Sequence, residues 1–168
     1  MPLQPRVARA ALHFWEEPCI SGKNGSGTVF FSGCNLNCVF CQNYGVSHGG
    51  YGKAVTYKRL ADIFKELEEK GAENINLVTP SHYYYAVIKA LDIYKPKIPI
   101  VYNTGGYDTL SAIKALKGYI DIYLTDLKYL SPERARAYSG AVDYPDYASA
   151  SIAEEYRQQG ECVFKNGI

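Results

Sequence analysis

The chain has 168 residues, enough for one domain with a core of its own. Hydrophobic residues at 47% and charged residues at 21% are the balance of an ordinary globular protein, which excludes a disordered or fibrous one. Eighteen Lys and Arg against seventeen Asp and Glu leave a net charge of +1, so neither a nucleic-acid nor a membrane partner is expected, and no stretch approaches the roughly 20 apolar residues of a membrane span.

The N-terminal Met1-Pro2-Leu3-Gln4-Pro5-Arg6 lacks the apolar segment of a secretion signal. Five cysteines, three of them clustered, fit a reducing cytoplasm better than a disulfide framework, with Cys19 and Cys162 as free thiols. Residues 1–27 hold no strong periodicity and read as a lead-in segment, with Glu16 and Glu17 as solvated loop charges. A Gly/Ser-rich run over residues 21–27 leads tightly into the core, taken as residues 28–168. The 16 tyrosines read as amphipathic residues packing under loops.

Thr28–Ser32, β-branched and aromatic, is the first expected strand. Thr56 then suits the N-cap of a helix over Tyr57–Lys70, whose Leu60, Ile63, Phe64 and Leu67 recur on one face, and Gly71 suits its end. A second strand, Ile75–Thr79, is stopped by Pro80, and a helix over Tyr83–Tyr94 follows. The third strand is expected at Ile98–Tyr102, a helix at Thr109–Leu116 and the fourth strand at Ile120–Thr125. Ser131-Pro132-Glu133 opens a helical region, another helix covers Tyr147–Gln159, and a short run spans Cys162–Phe164.

Strands alternating with helices predict βαβ units and a parallel α/β sheet. Ligands in such folds collect at the C-terminal ends of the strands. All four expected strand ends carry polar chemistry. The first runs into Gly33-Cys34-Asn35-Leu36-Asn37-Cys38-Val39-Phe40-Cys41-Gln42-Asn43, the second into Thr79-Pro80-Ser81-His82, the third into Asn103-Thr104 and the fourth into Asp126-Leu127-Lys128. One shared site is the expectation, with His82 as a local structural residue.

Cys34, Cys38 and Cys41, spaced C-x3-C-x2-C, put three thiolates on a short loop, where they converge on one point. Thiolate sulfur selects zinc or an iron–sulfur cluster, and zinc sites usually show paired C-x2-C halves. The spacing resembles the signature of the radical S-adenosylmethionine (SAM) superfamily, and the flanking FFSGC and CQNY resemble its branch related to pyruvate formate-lyase activating enzymes. That resemblance implies a partial, TIM-like barrel and a [4Fe-4S] cluster on Cys34, Cys38 and Cys41, with SAM on the fourth iron. It further implies reductive cleavage of SAM to a 5′-deoxyadenosyl radical that abstracts hydrogen from a substrate.

By the same resemblance, Thr79 and Ser81 stand where relatives carry a Gly-Gly-Glu-like segment for the methionine amino group. Asp126-Leu127-Lys128 faces the cofactor, with Lys128 pairing the methionine carboxylate. Asn103 and Thr104 replace an Asp-Thr pair that holds a monovalent cation in the activases, and asparagine removes the charge. The implied partners are SAM, an electron donor such as flavodoxin or ferredoxin, and a glycyl radical enzyme or another substrate protein.

About four βα units are legible where the superfamily usually has six, so a truncated or minimal core is expected, ending near a fifth strand around Val163–Ile168. An iron–sulfur electron carrier or scaffold that never cleaves SAM is the alternative function, and a structural zinc protein a third.

Overall fold

The computed structural model describes residues 4–163, so Phe164 and the rest of the expected terminal run lie outside the described residues. One six-stranded sheet organises the described residues. Its strands are β1 (Arg6–His13), β2 (Ser26–Phe31), β3 (Lys53–Ala54), β4 (Ile75–Val78), β5 (Ile100–Thr104) and β6 (Ile122–Thr125), in the spatial order β3-β1-β2-β4-β5-β6. Strands β2, β4, β5 and β6 are parallel, whereas β1 runs antiparallel to both β2 and β3. This mostly parallel α/β sheet is consistent with a partial barrel of the kind the sequence implied.

The antiparallel flank was not expected. Arg6–His13 is rich in alanine and arginine, which have little intrinsic strand preference, and it becomes a strand by pairing along the whole length of β2, with a register irregularity between Val7 and Arg9. The first strand of the chain is therefore β1, not the segment at Thr28.

Short helices α1 (Pro18–Ser21) and α2 (Tyr44–Ser47) flank β2 and the cysteine loop. Helix α3 (Tyr57–Glu69) begins at its expected cap, where the Thr56 hydroxyl accepts from the Arg59 N–H at 3.1 Å, and it buries Leu60, Ile63, Phe64 and Leu67 as the periodicity required. A 3-10 turn at Ser81–Tyr83 leads into α4 (Tyr84–Ile93), and α5 (Leu110–Ala115) joins β5 to β6. Helices α6 (Pro132–Ser139) and α7 (Tyr144–Gln159) follow, the latter starting three residues earlier than expected.

Two strands start later than the sequence suggested. Pro99 has no N–H for a ladder, so β5 begins at Ile100 and takes in Asn103 and Thr104, which were expected beyond its end. Strand β6 begins at Ile122, where Asp121 accepts from the Ile100 N–H through Oδ2 at 2.8 Å.

The main core lies between the sheet and α3, α4 and α5, around Val29, Phe31, Leu60, Phe64, Leu77, Tyr102 and Ile113. A smaller apolar cluster joins the cysteine loop to α6 and α7 through Leu36, Cys38, Ala135, Ala141, Tyr144 and Ala148. Burying that loop edge fixes it by packing as well as by hydrogen bonds.

Candidate active site at the strand ends

The cysteine loop leaves β2 and is clamped at both sides. His82 donates from Nε2 to the Ser32 carbonyl at 2.8 Å, directly before Gly33 and Cys34. Its other ring nitrogen is buried without a partner, and burial holds the imidazole below its usual pKa, so the neutral tautomer protonated at Nε2 fits the contact. At the far side, the Asn37 and Val39 N–H groups donate to the carbonyls of Ser139 and Tyr138 at 3.0 and 2.9 Å. The end of α6 thus holds the middle of the loop.

Cys34, Cys38 and Cys41 line one cavity of about 360 Å³ together with Thr79, Asn103, Thr104, Asp126 and Lys128. Eight of the nine residues singled out from the sequence therefore share one wall. Ser81 is the exception: it is buried, and its hydroxyl lies 3.0 Å from the Thr104 hydroxyl. Thr104 in turn donates to the buried Asp108 carboxylate, which also accepts from Tyr102 Oη at 2.9 Å. Ser81 thereby braces the end of β5.

Thr79, directly after β4, has φ +56°, in the left-handed region that a β-branched residue rarely enters. Its N–H donates to the Asn103 carbonyl at 2.9 Å, which holds the chain in that conformation and ties two strand ends together.

Tyr144 performs the same task for β5 and β6. Its hydroxyl accepts from the Lys128 N–H at 2.8 Å and reaches the carbonyls of Gly105 and Asp126 at 2.8 and 2.9 Å. Gly106 is required beside it, because a Cβ there would stand 2.6 Å from the Asp126 carbonyl.

Lys128 forms an ion pair with Asp126. Burial works against its charge, but Asp126 and Cys38 outweigh that and hold its pKa above the usual lysine value. Burial pushes the Cys34 thiol up, the other two cysteines add to the shift, and the Leu36 N–H and Lys128 oppose it. A cation facing three thiols is suited to an electron-rich sulfur centre.

The three thiols share a wall but do not converge to a point. Among the described residues no three His, Cys, Asp or Glu side chains come together as one metal ion requires. A structural zinc needs its donors about 2.0–2.3 Å from one atom, whereas a cubane takes one thiolate on each of several irons. Three thiols lining one cavity are compatible with a cluster that takes one thiolate on each of three irons.

Two polar residues near the site escaped the sequence reading. Glu16, taken as a solvated charge, is half-buried and accepts from Asn103 Nδ2 at 3.4 Å. Asn76 lies fully buried within β4. The signal for the second was present, since an asparagine interrupts the apolar run Ile75-Asn76-Leu77-Val78.

Residues 28–157 match the radical SAM superfamily, and the chain belongs to that superfamily. Its members use a [4Fe-4S] cluster and SAM. The chain is also similar to an uncharacterized protein of Methanocaldococcus jannaschii, with 33% identity over 144 residues that cover 80% of this chain and 41% of that protein. It therefore spans about two fifths of the length of this relative. Among the described residues, no helix is long and apolar enough to cross a membrane.

Proposed function

We propose that the chain carries the catalytic core of a radical SAM enzyme of the branch related to pyruvate formate-lyase activating enzymes. In this reading Cys34, Cys38 and Cys41 hold a [4Fe-4S] cluster, and Thr79, Asn103, Thr104, Asp126 and Lys128 surround SAM. The observation that carries it is the shared cavity, which gathers the three thiols and the polar ends of β4, β5 and β6. In this reading the core domain is taken as 28–168, and the lead-in before it contributes β1, which lies between β3 and β2.

When bound and reduced, the cluster supplies the electron that cleaves SAM to methionine and a 5′-deoxyadenosyl radical. The protein's own work is positioning. Lys128 orients the methionine carboxylate by a charge-assisted hydrogen bond. Thr79 and Asn103 offer carbonyl and side-chain acceptors to the ammonium, and Ser81 and Asp108 hold Thr104 in place from behind. An electron donor such as flavodoxin or ferredoxin and a glycyl radical enzyme as substrate complete the proposal, together with a cytoplasmic location.

The test is electron paramagnetic resonance on anaerobically reconstituted, reduced protein with and without SAM. A [4Fe-4S]⁺ signal that changes on adding SAM supports the reading. A cluster signal that does not change supports an electron carrier instead.

A further inference from the structure

The face of the sheet that lines the cavity carries, beside Asn103, a polar side chain that the SAM reading does not use. Strand register puts Phe30, Val78 and Asn103 in one row across β2, β4 and β5, and all three line the cavity. Thr28, Asn76 and Val101 form the next row on the same face, since side chains two apart along a strand point the same way. Asn76 is fully buried, and neither its carboxamide nitrogen nor its oxygen makes a hydrogen bond. An aliphatic side chain would fill that position without stripping water from two polar groups, so an orphaned amide there calls for an explanation.

Glu16 meets these rows from the loop between β1 and α1. Its carboxylate accepts from Asn103, and Asn76 is near enough to favour its charged form without reaching hydrogen-bond geometry. Burial and the neighbouring Glu17 push the Glu16 carboxyl up from its ordinary pKa, while His13 and Asn76 pull the other way. Among the described residues Glu16 belongs to no salt bridge. One carboxylate beside two carboxamides, with no salt bridge from the described residues to answer it, is an acceptor set for N–H donors.

We propose that Glu16, Asn76 and Asn103 form a subsite for a protonated nitrogen group of the substrate, a primary ammonium or a guanidinium, next to the cavity wall at Asn103. The Asn76 amide donates to Glu16 and its oxygen accepts from the ligand, so both orphaned atoms gain partners. Asn103 links this subsite to the cavity wall that the three cysteines share. The proposal rests on the reading of that cavity as a radical SAM active site, and it names the chemical class of the molecule that loses hydrogen there.

The probe is methylguanidinium chloride at millimolar concentration, titrated into the reconstituted holoprotein and followed by the side-chain amide resonances of Asn76 and Asn103. These are assigned from their loss in Asn76→Asp and Asn103→Asp variants. Saturable shifts are expected in the unaltered protein, with affinity roughly tenfold lower in Glu16→Gln and unchanged in Glu17→Gln. Butyramide, neutral, and sodium chloride should leave both resonances in place. Absence of a saturable shift, equal affinity in Glu16→Gln, or an equal response to butyramide overturns the subsite. The paramagnetic response to SAM is recorded on the same preparation. A full response without methylguanidinium binding overturns the subsite alone, whereas no response removes the enzymatic reading beneath it.

Discussion

The Cys38 sulfur lies 2.9 Å from the Ser139 hydroxyl, across 101 residues of chain. Ser139 also meets Tyr129 Oη at 2.9 Å, so the cysteine loop, the end of α6 and the segment after β6 share one polar junction. With Cys38 as a thiolate ligand, Ser139 donates to the sulfur and Tyr129 donates to Ser139. Ser139→Ala removes the donor and leaves Tyr129 unpaired, at a cost of about 1 kcal/mol. Thermal unfolding should show a midpoint lower by about 2–4 °C. A hydrogen bond to a cluster sulfur also tunes its potential, so redox titration should find the variant's cluster harder to reduce. An unchanged potential would detach Ser139 from the cluster.

The ligand assignment predicts an unequal cysteine scan. Cys34→Ala, Cys38→Ala and Cys41→Ala should each abolish iron retention after anaerobic reconstitution. Cys19→Ala and Cys162→Ala should keep it, because neither residue lines the cavity and Cys162 is exposed. Iron analysis decides, and loss of iron in the Cys162 variant would overturn the assignment.

Lys128 is separable from the cluster. It contributes charge to the cavity wall but no soft ligand, so Lys128→Ala should retain iron and weaken SAM binding by roughly tenfold, the loss of one charge-assisted hydrogen bond. Equilibrium binding of SAM to the reconstituted variant checks this, and unchanged affinity would remove Lys128 from the site.

Most of the parallel half of the sheet was legible because its signals are local. Thr56 caps α3, the apolar stripe of that helix is buried, and Pro80 stops β4. The candidate site followed from topology, since polar residues after successive parallel strands must come to one edge. What stayed hidden depends on partners far along the chain. Arg6–His13 has no strand signature of its own and is a strand through its pairing with β2. Glu16 looks like any loop acid until the fold brings it to Asn103, 87 positions away. Ser81 reads as a strand-end hydroxyl, and only the fold shows its contact with Thr104, 23 positions away.

Glu155 makes stability depend on pH in an unusual direction. It is buried on α7 with one oxygen accepting from Thr125 Oγ1 at 2.8 Å and the other without a partner. Burial pushes its pKa up to about 7, Thr125 opposing and Asp108 adding to the shift. The unfolded chain gives up this proton near the ordinary glutamate value, whereas the folded chain keeps it until about pH 7. Between those values the folded state binds more protons, so this group makes stability fall as pH rises through the window, with no further loss above it. Denaturant unfolding should show Glu155→Gln more stable than the unaltered protein at pH 8, by about 1–3 kcal/mol. The gap should narrow towards pH 4.5 and close below it, where both states carry a neutral side chain. A difference that stays constant across that range would mean that Glu155 is already ionised in the folded protein.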